Sequence, residues 1–340
     1  MTEAAAENAT APPRLSDLNV LVGRKCNAAC AHCSISSSPA NVRRMDEATL
    51  AAVCGQIPAF ARWMPGGRVV VTGGEPLLYR RQLETIGEAA HAHGLALVVE
   101  TNGHWAKNPD IARTTILRYG IDALILSASA YHAAFVAPER VATAYRAAKS
   151  LGRDASVRIS RAGSDHEAIL DFVRTFADER DVAVEEVLAF GRGEGLARPA
   201  QADEDELLLC PSEGPIVMDD GRVDPCCGPL TALDGHALGM GSIDSPEGHP
   251  FAMMEADPVF DLIRRRGLHA LIDGLRAEGA EVRARRPGED VCTTCARLVG
   301  DPALEASIAR LRSIQPPAPA GVGSAQSRLE KIRKSSPSSQ

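Results

Sequence analysis

Six short runs of β-branched and aliphatic residues, at positions 19–23, 68–72, 96–101, 123–127, 157–160 and 184–190, recur along the first part of this 340-residue chain. Between them lie longer stretches of helical periodicity at 46–63, 80–93, 110–119, 138–151 and 165–180. Strands that alternate with helices across short connections lie parallel, and their crossovers take one hand. The punctuation agrees: Pro138 stands near a helix start, and Gly94, Gly120 and Gly152 stand just past helix ends. A doubly wound nucleotide-binding sheet gives the same alternation, but no G-x-G-x-x-G opens a helix here.

Two motifs fall directly after the first two predicted strands. Lys25-Cys-Asn-Ala-Ala-Cys-Ala-His-Cys33 places Cys26, Cys30 and Cys33 in a C-x3-C-x2-C run. Four-iron clusters are held by thiolates, and a site that supplies three of them leaves one iron open to a small molecule. Taken alone, the cysteines also fit a structural zinc site. The second motif, in Val69-Val-Val-Thr-Gly-Gly-Glu-Pro76, sets Gly73, Gly74, Glu75 and Pro76 at the next strand end. Glycines there let backbone approach a ligand closely, and Glu75 offers a carboxylate to an ammonium group.

The cysteine spacing and the Gly-Gly-Glu-Pro run together resemble the radical S-adenosylmethionine superfamily. The resemblance implies an α/β fold, a partial (β/α)6 TIM-like barrel with an irregular C-terminal iron-sulfur extension. It also implies a [4Fe-4S] cluster on Cys26, Cys30 and Cys33, and S-adenosylmethionine at the fourth iron with its methionine end along Gly73, Gly74, Glu75 and Pro76. Cleavage of that cofactor, after one electron from a flavodoxin- or ferredoxin-type donor, gives a 5'-deoxyadenosyl radical that abstracts hydrogen from a substrate carbon. Ligands of such barrels gather at the carboxyl ends of the strands. Similar segments of the family contact the cofactor's ribose and methionine, which makes Asn102, Ser127 and Ser129 candidates for hydrogen bonds there. Ordinary turn and cap chemistry is the competing reading for those three. Arg158 and Arg192 are candidates for reaching the cofactor carboxylate or a substrate anion, and Tyr131 and His132 sit where a substrate would enter.

Beyond Phe190 the periodicity gives way to Gly/Pro-rich sequence to about Asp301, followed by a predicted short helix at 302–313. This region holds Cys210, Gly221, Pro225-Cys-Cys-Gly228 and Cys292-Thr-Thr-Cys295. Four thiolates of this spacing are compatible with a zinc ribbon or an iron-sulfur site. The arrangement resembles the opening of the SPASM and twitch extensions of radical enzymes. It lacks the further cysteines of a full SPASM domain, which implies one auxiliary [4Fe-4S] cluster on Cys210, Cys226, Cys292 and Cys295. Of the remaining cysteines, Cys54 lies in a helical stretch and reads as a buried inert thiol. Cys227 reads as an alternative ligand, a packing residue, or a hydrogen-atom donor to a substrate radical, a role cysteine plays in radical epimerases. The expected organisation is a disordered lead-in at 1–14, the barrel at 15–195, the auxiliary-cluster domain at 196–314 and a disordered tail at 315–340.

A net charge of −7 argues against a nucleic-acid or anionic-membrane partner, which selects for a basic face. No segment has the apolar length of a membrane span and no secretion signal opens the chain, so a cytoplasmic protein is expected. The implied substrate is a ribosomally made peptide that is crosslinked, oxidised or epimerised. A sugar or aminocyclitol undergoing dehydrogenation or epimerisation is the alternative. The short lead-in leaves no room for a leader-recognition domain, which counts against the peptide. A non-catalytic iron-sulfur or zinc scaffold is the reading from another class.

Overall fold

The computed structural model describes residues 15–164, 166–196, 209–233, 235–244, 250–283 and 289–314. The expected lead-in and tail lie outside the described residues. Six parallel strands, β1 (Asp17–Leu21), β2 (Arg68–Thr72), β3 (Ala96–Thr101), β4 (Ala123–Ala128), β5 (Asp154–Arg161) and β6 (Val182–Glu186), stand side by side in chain order. Between them run α1 (Glu47–Trp63), α2 (Arg80–Ala92), α3 (Pro109–Arg118), the single turn α4 (Ala130–Ala133), α5 (Pro138–Ser150) and α6 (Glu167–Arg174). The sheet is mostly parallel and does not close.

Strand alternation separates two faces. Leu18, Val20, Val69, Val71, Leu97, Val99, Leu124, Leu126, Val157 and Ile159 occupy register-matched positions and are fully or almost fully buried in one core. Against them α1 sets Leu50, Val53, Ile57 and Phe60, spaced three or four residues apart as one face of a helix requires. The helix starts where Asp46 accepts from the Thr49 amide at 2.8 Å, and α3 starts where Asn108 accepts from Ile111 at 2.9 Å ahead of Pro109. The opposite parity faces the inside of the curved sheet and carries the polar residues Asn19, Thr72, Glu100, Ser127, Arg158 and Glu185 together with the apolar Leu21, Val70, Val98 and Ile125.

Among the described residues, the region left without regular elements by the sequence carries strands and helices. Two short strands, β7 (Ile216–Val217) and β8 (Val223–Asp224), form a hairpin, and β7 pairs in parallel with β1, so the extension adds to the barrel's own sheet. Helices α7 (Pro250–Ala256), α8 (Pro258–Ala277), α9 (Val291–Val299) and α10 (Glu305–Ile314) follow. The apolar stripe of α8 is broken by Gly267, whose φ of 79° interrupts the helix, and the break hides its periodicity in the sequence. Among the described residues no helix is long and apolar enough to cross a membrane.

Candidate functional site

The loop between β1 and α1 carries the first three cysteines and is anchored from below by the Gly-Gly-Glu-Pro turn. The Gly74 amide donates to the Gly23 carbonyl at 2.8 Å and the Glu75 amide to the Lys25 carbonyl at 3.0 Å. A Cβ on Gly74 would stand 2.1 Å from the Lys25 oxygen, so only glycine allows this approach. Tyr79 ties the loop's two ends together: its hydroxyl accepts from the Lys25 amide and donates to the Arg43 carbonyl at 3.1 Å. From the other side the β7–β8 turn contributes Asp219, which is buried and pairs with both Arg24 and Arg43.

Within this frame Cys26 and Cys30 are buried and Cys33 is half-buried. Backbone amides already point at the sulfurs: Ala28 donates to the Cys26 Sγ at 3.4 Å and Ser37 to the Cys33 Sγ at 3.3 Å. Burial, reinforced by Glu75 and Cys33, pushes Cys26 up to about 11, and burial with the neighbouring Cys26 and Cys33 pushes Cys30 up to about 12. Thiols so placed ionise when a metal compensates their charge, which is how ligation couples to proton release. The donor set therefore fits a thiolate-bound cluster. Among the described residues no three His, Cys, Asp or Glu side chains converge on the position of a single ion.

Glu75 is fully buried and its carboxylate holds neighbouring turns together. It accepts from the Thr101 hydroxyl at 2.7 Å, the Asn102 amide at 3.0 Å and the Leu77 amide at 3.2 Å. Burial nevertheless dominates these bonds and pushes Glu75 up to about 7. Asn102 is likewise buried, its side chain donating to Asn27 Oδ1 at 3.0 Å and reaching the Cys26 Sγ at 3.7 Å. Ser127 lies on the inner face at the end of β4. Ser129 caps α4 through the His132 amide and contacts His132 Nδ1 at 2.8 Å, the cap chemistry weighed as its competing role. His132 packs edge-on against His32 of the cysteine loop, and burial pushes it down to about 3, so it is neutral. Tyr131 also packs against His32, tilted, with a 5.0 Å centroid distance.

The inner face carries an ion network that the sequence pattern identified only in part. Arg158 pairs with Glu100 and Glu185, each at 3.0 Å, and Thr72 donates to Glu100 at 3.0 Å. A charged residue inside the run Leu-Val-Val-Glu-Thr was the available signal for Glu100. Cys227 opens onto this network: it is exposed to solvent, yet enough protein surrounds its thiol that desolvation, with the Glu100 charge and against Arg158, pushes it up to about 11. The other extension cysteines face each other. Cys226 lies within electrostatic reach of Cys210 and Cys295, and Cys292 and Cys295 both lie within reach of Cys210; burial raises all four thiols. Cys292 and Cys295 share one face of the first turn of α9, which Asp290 caps through the Thr293 amide at 2.8 Å. Arg192, read as a ligand for anions, turns instead to the cysteine loop and donates to the carbonyls of Cys30 and Ser37.

Comparisons with known proteins agree with this geometry. Residues 20–160 match the model of the radical SAM superfamily. The "Putative peptide biosynthesis protein YydG" of Bacillus subtilis (strain 168) is 22% identical over 228 residues, 62% of this chain and 69% of that protein. The 7-carboxy-7-deazaguanine synthase of Koribacter versatilis (strain Ellin345) is 37% identical over 78 residues, 23% of this chain, which spans only 32% of the synthase. Among solved structures, native anSMEcpe with bound AdoMet and Kp18Cys peptide superposes with a TM-score of 0.51 at 15% identity, over 89% of this chain and 99% of that one, a likeness of fold. Residues 20–160, which contain both the cysteine loop and the Gly-Gly-Glu-Pro turn, are a domain of the radical SAM superfamily.

Proposed function

We propose that the chain acts on a ribosomally synthesised peptide, removing a hydrogen atom from one residue and returning another from Cys227, so that the residue is epimerised. Cys26, Cys30 and Cys33 would hold the first [4Fe-4S] cluster, and Gly73, Gly74, Glu75, Pro76, Asn102, Ser127 and Ser129 would line S-adenosylmethionine. Once bound and reduced by one electron from a flavodoxin- or ferredoxin-type donor, that pair supplies a 5'-deoxyadenosyl radical. Cys210, Cys226, Cys292 and Cys295 would hold one auxiliary cluster, in a domain at 196–314 set against the barrel domain at 15–195.

The single observation that carries this reading is the placement of Cys227. It is the exposed member of the nine cysteines, and it opens onto the polar inner face formed by Glu100, Arg158 and Glu185. A thiol pushed up to about 11 stays protonated at neutral pH, and a hydrogen-atom donor needs its S–H bond intact. In the step itself the S–H bond breaks and a C–H bond forms. The thiyl radical left on Cys227 returns to the thiol by taking one electron from the external donor and one proton from solvent. The polar lining holds the peptide's reacting residue in one orientation, the positioning on which such a transfer depends. Similarity to YydG, named for peptide biosynthesis, supports a peptide over a sugar.

The test is anaerobic turnover of candidate peptides in D2O with chiral amino-acid analysis. Epimerisation by this route places one deuterium on the inverted carbon, and Cys227→Ala continues to form 5'-deoxyadenosine while losing the inverted product. A product lighter by two hydrogens, made equally well by Cys227→Ala, would assign the enzyme to oxidation or crosslinking instead.

A further inference from the structure

The turn Phe190-Gly-Arg-Gly193 follows β6 and lies against the cysteine loop from the far edge of the sheet. Three bonds converge on it. The Arg192 amide donates to the Cys33 carbonyl at 3.1 Å, its Nε donates to the Cys30 carbonyl at 2.9 Å, and a terminal guanidinium nitrogen donates to the Ser37 carbonyl at 2.6 Å. The flanking residues have to be glycine for this contact to form. Gly191 sits at a φ of +56°, and a Cβ there would stand 2.2 Å from the Ser34 oxygen; a Cβ on Gly193 would stand 3.0 Å from the His32 oxygen. A single residue thus grips the loop beside two of the three thiols and again four residues beyond the last, and two of the three bonds come from a charged donor of rigid fork geometry.

We infer that Arg192 is a positioning residue for the first cluster: it fixes the loop that carries Cys30 and Cys33, and it supplies a fixed cation beside the thiolates that makes the cluster easier to reduce. The guanidinium group is hydrogen-bonded to the backbone of Cys30 itself and of Ser37, which holds its charge beside the ligand loop. Reduction adds one electron and no proton, so the cluster with its thiolates becomes more negative by one charge. A nearby cation stabilises the reduced state more than the oxidised one, and a partly buried cation does so with little screening. The inference rests on the proposed ligation by Cys26, Cys30 and Cys33, and it adds a role that neither the cysteine spacing nor the Gly-Gly-Glu-Pro turn conveys.

Two variants of the full chain separate the two effects. Arg192→Gln keeps an amide donor and removes the charge; Arg192→Lys keeps the charge and loses the fork. After anaerobic reconstitution, the first cluster is titrated with titanium(III) citrate, each reduction oxidising one Ti(III) to Ti(IV), and followed by electron paramagnetic resonance. The full-length chain with Cys26, Cys30 and Cys33 all changed to Ala gives the signal of any other cluster for subtraction. Arg192→Gln should shift the midpoint potential to more negative values, and Arg192→Lys should stay near the parent. Loss of a charge-assisted bond should make Arg192→Lys surrender its iron to a chelator about tenfold faster. Urea denaturation of the apoproteins should show all three chains folded alike, and a Lys variant unfolded as apoprotein would overturn the inference by assigning Arg192 to the fold as a whole. Variants that match the parent in both potential and iron retention would also overturn it. If the parent itself holds no iron on these cysteines, the ligation fails and this inference with it; if the parent holds the cluster and forms 5'-deoxyadenosine while the variants are indistinguishable from it, this inference alone fails.

Discussion

Replacing Glu75 by Gln should remove a pH dependence of stability that the wild-type apoprotein carries. The carboxyl is fully buried, and the desolvation of its charge outweighs the three donors on it, raising it from an ordinary 4.5 to about 7. A rise of that size corresponds to about 3 kcal/mol of differential interaction between the two protonation states. The sign follows from proton counting. Between pH 4.5 and 7 the folded chain keeps the Glu75 proton that the unfolded chain has released, so the free energy of unfolding falls as pH rises through this window, by about 3 kcal/mol in total. Glu75→Gln carries no proton to lose and should lack this component. It should also lose a constant amount, about 1–3 kcal/mol, because its NH2 group meets the Thr101 hydroxyl or the Asn102 amide as a second donor. The assay is urea unfolding of wild-type and variant apoproteins at half-unit steps from pH 4.5 to 7.5. Parallel stability curves for the two chains would refute the reasoning, since a carboxylate ionised normally in both states contributes no slope.

Three further outcomes follow from the same geometry. Gly74→Ala drives a methyl group into the Lys25 carbonyl, so the Gly74–Gly23 and Glu75–Lys25 bonds are lost together; destabilisation of about 2–5 kcal/mol is expected, with reduced iron uptake on reconstitution, and iron assay with urea denaturation checks both. Changing Cys292 and Cys295 together to Ala should remove about four irons per chain while leaving 5'-deoxyadenosine formation in place, and unchanged iron would contradict their assignment as ligands. Alkylation of Cys227 in the apoprotein, followed by peptide mapping, should accelerate about tenfold per pH unit up to about 11, and Arg158→Met should slow it at any given pH by withdrawing the cation that favours the thiolate.

The parts of the fold that could be read from the sequence are those whose determinants are contiguous. The expected limits of β2 and β3 coincide with the observed ones because Arg68–Thr72 and Ala96–Thr101 are bounded by glycine turns and filled with valine. Strand β5 starts three residues before its expected position because Asp154, Ala155 and Ser156 place polar or small side chains on both faces of its first turns of pleat. Strand β1 was expected two residues late, since Val22 and Gly23 continue the apolar run after the strand's pairing ends. Helix α8 was hidden by Gly267. In the site, the cysteine loop and the Gly-Gly-Glu-Pro turn are local motifs and were legible. The groups that hold them are remote in sequence: Tyr79 meets Lys25 across 54 residues and Arg192 meets Cys30 across 162. A tyrosine or arginine carries no local pattern that marks such a contact. The polar inner face was half visible, since Arg158 interrupts an apolar strand, but its partners Glu100 and Glu185 are fixed only by the curvature that brings β3, β5 and β6 together.

The most direct measurement of the central claim is the yield of 5'-deoxyadenosine from anaerobically reconstituted protein given S-adenosylmethionine and dithionite, compared with the chain in which Cys26, Cys30 and Cys33 are all Ala. A cluster held by those thiolates predicts 5'-deoxyadenosine from the parent and none from the triple variant. Equal yields from the two chains, or none from an iron-loaded parent, would contradict it.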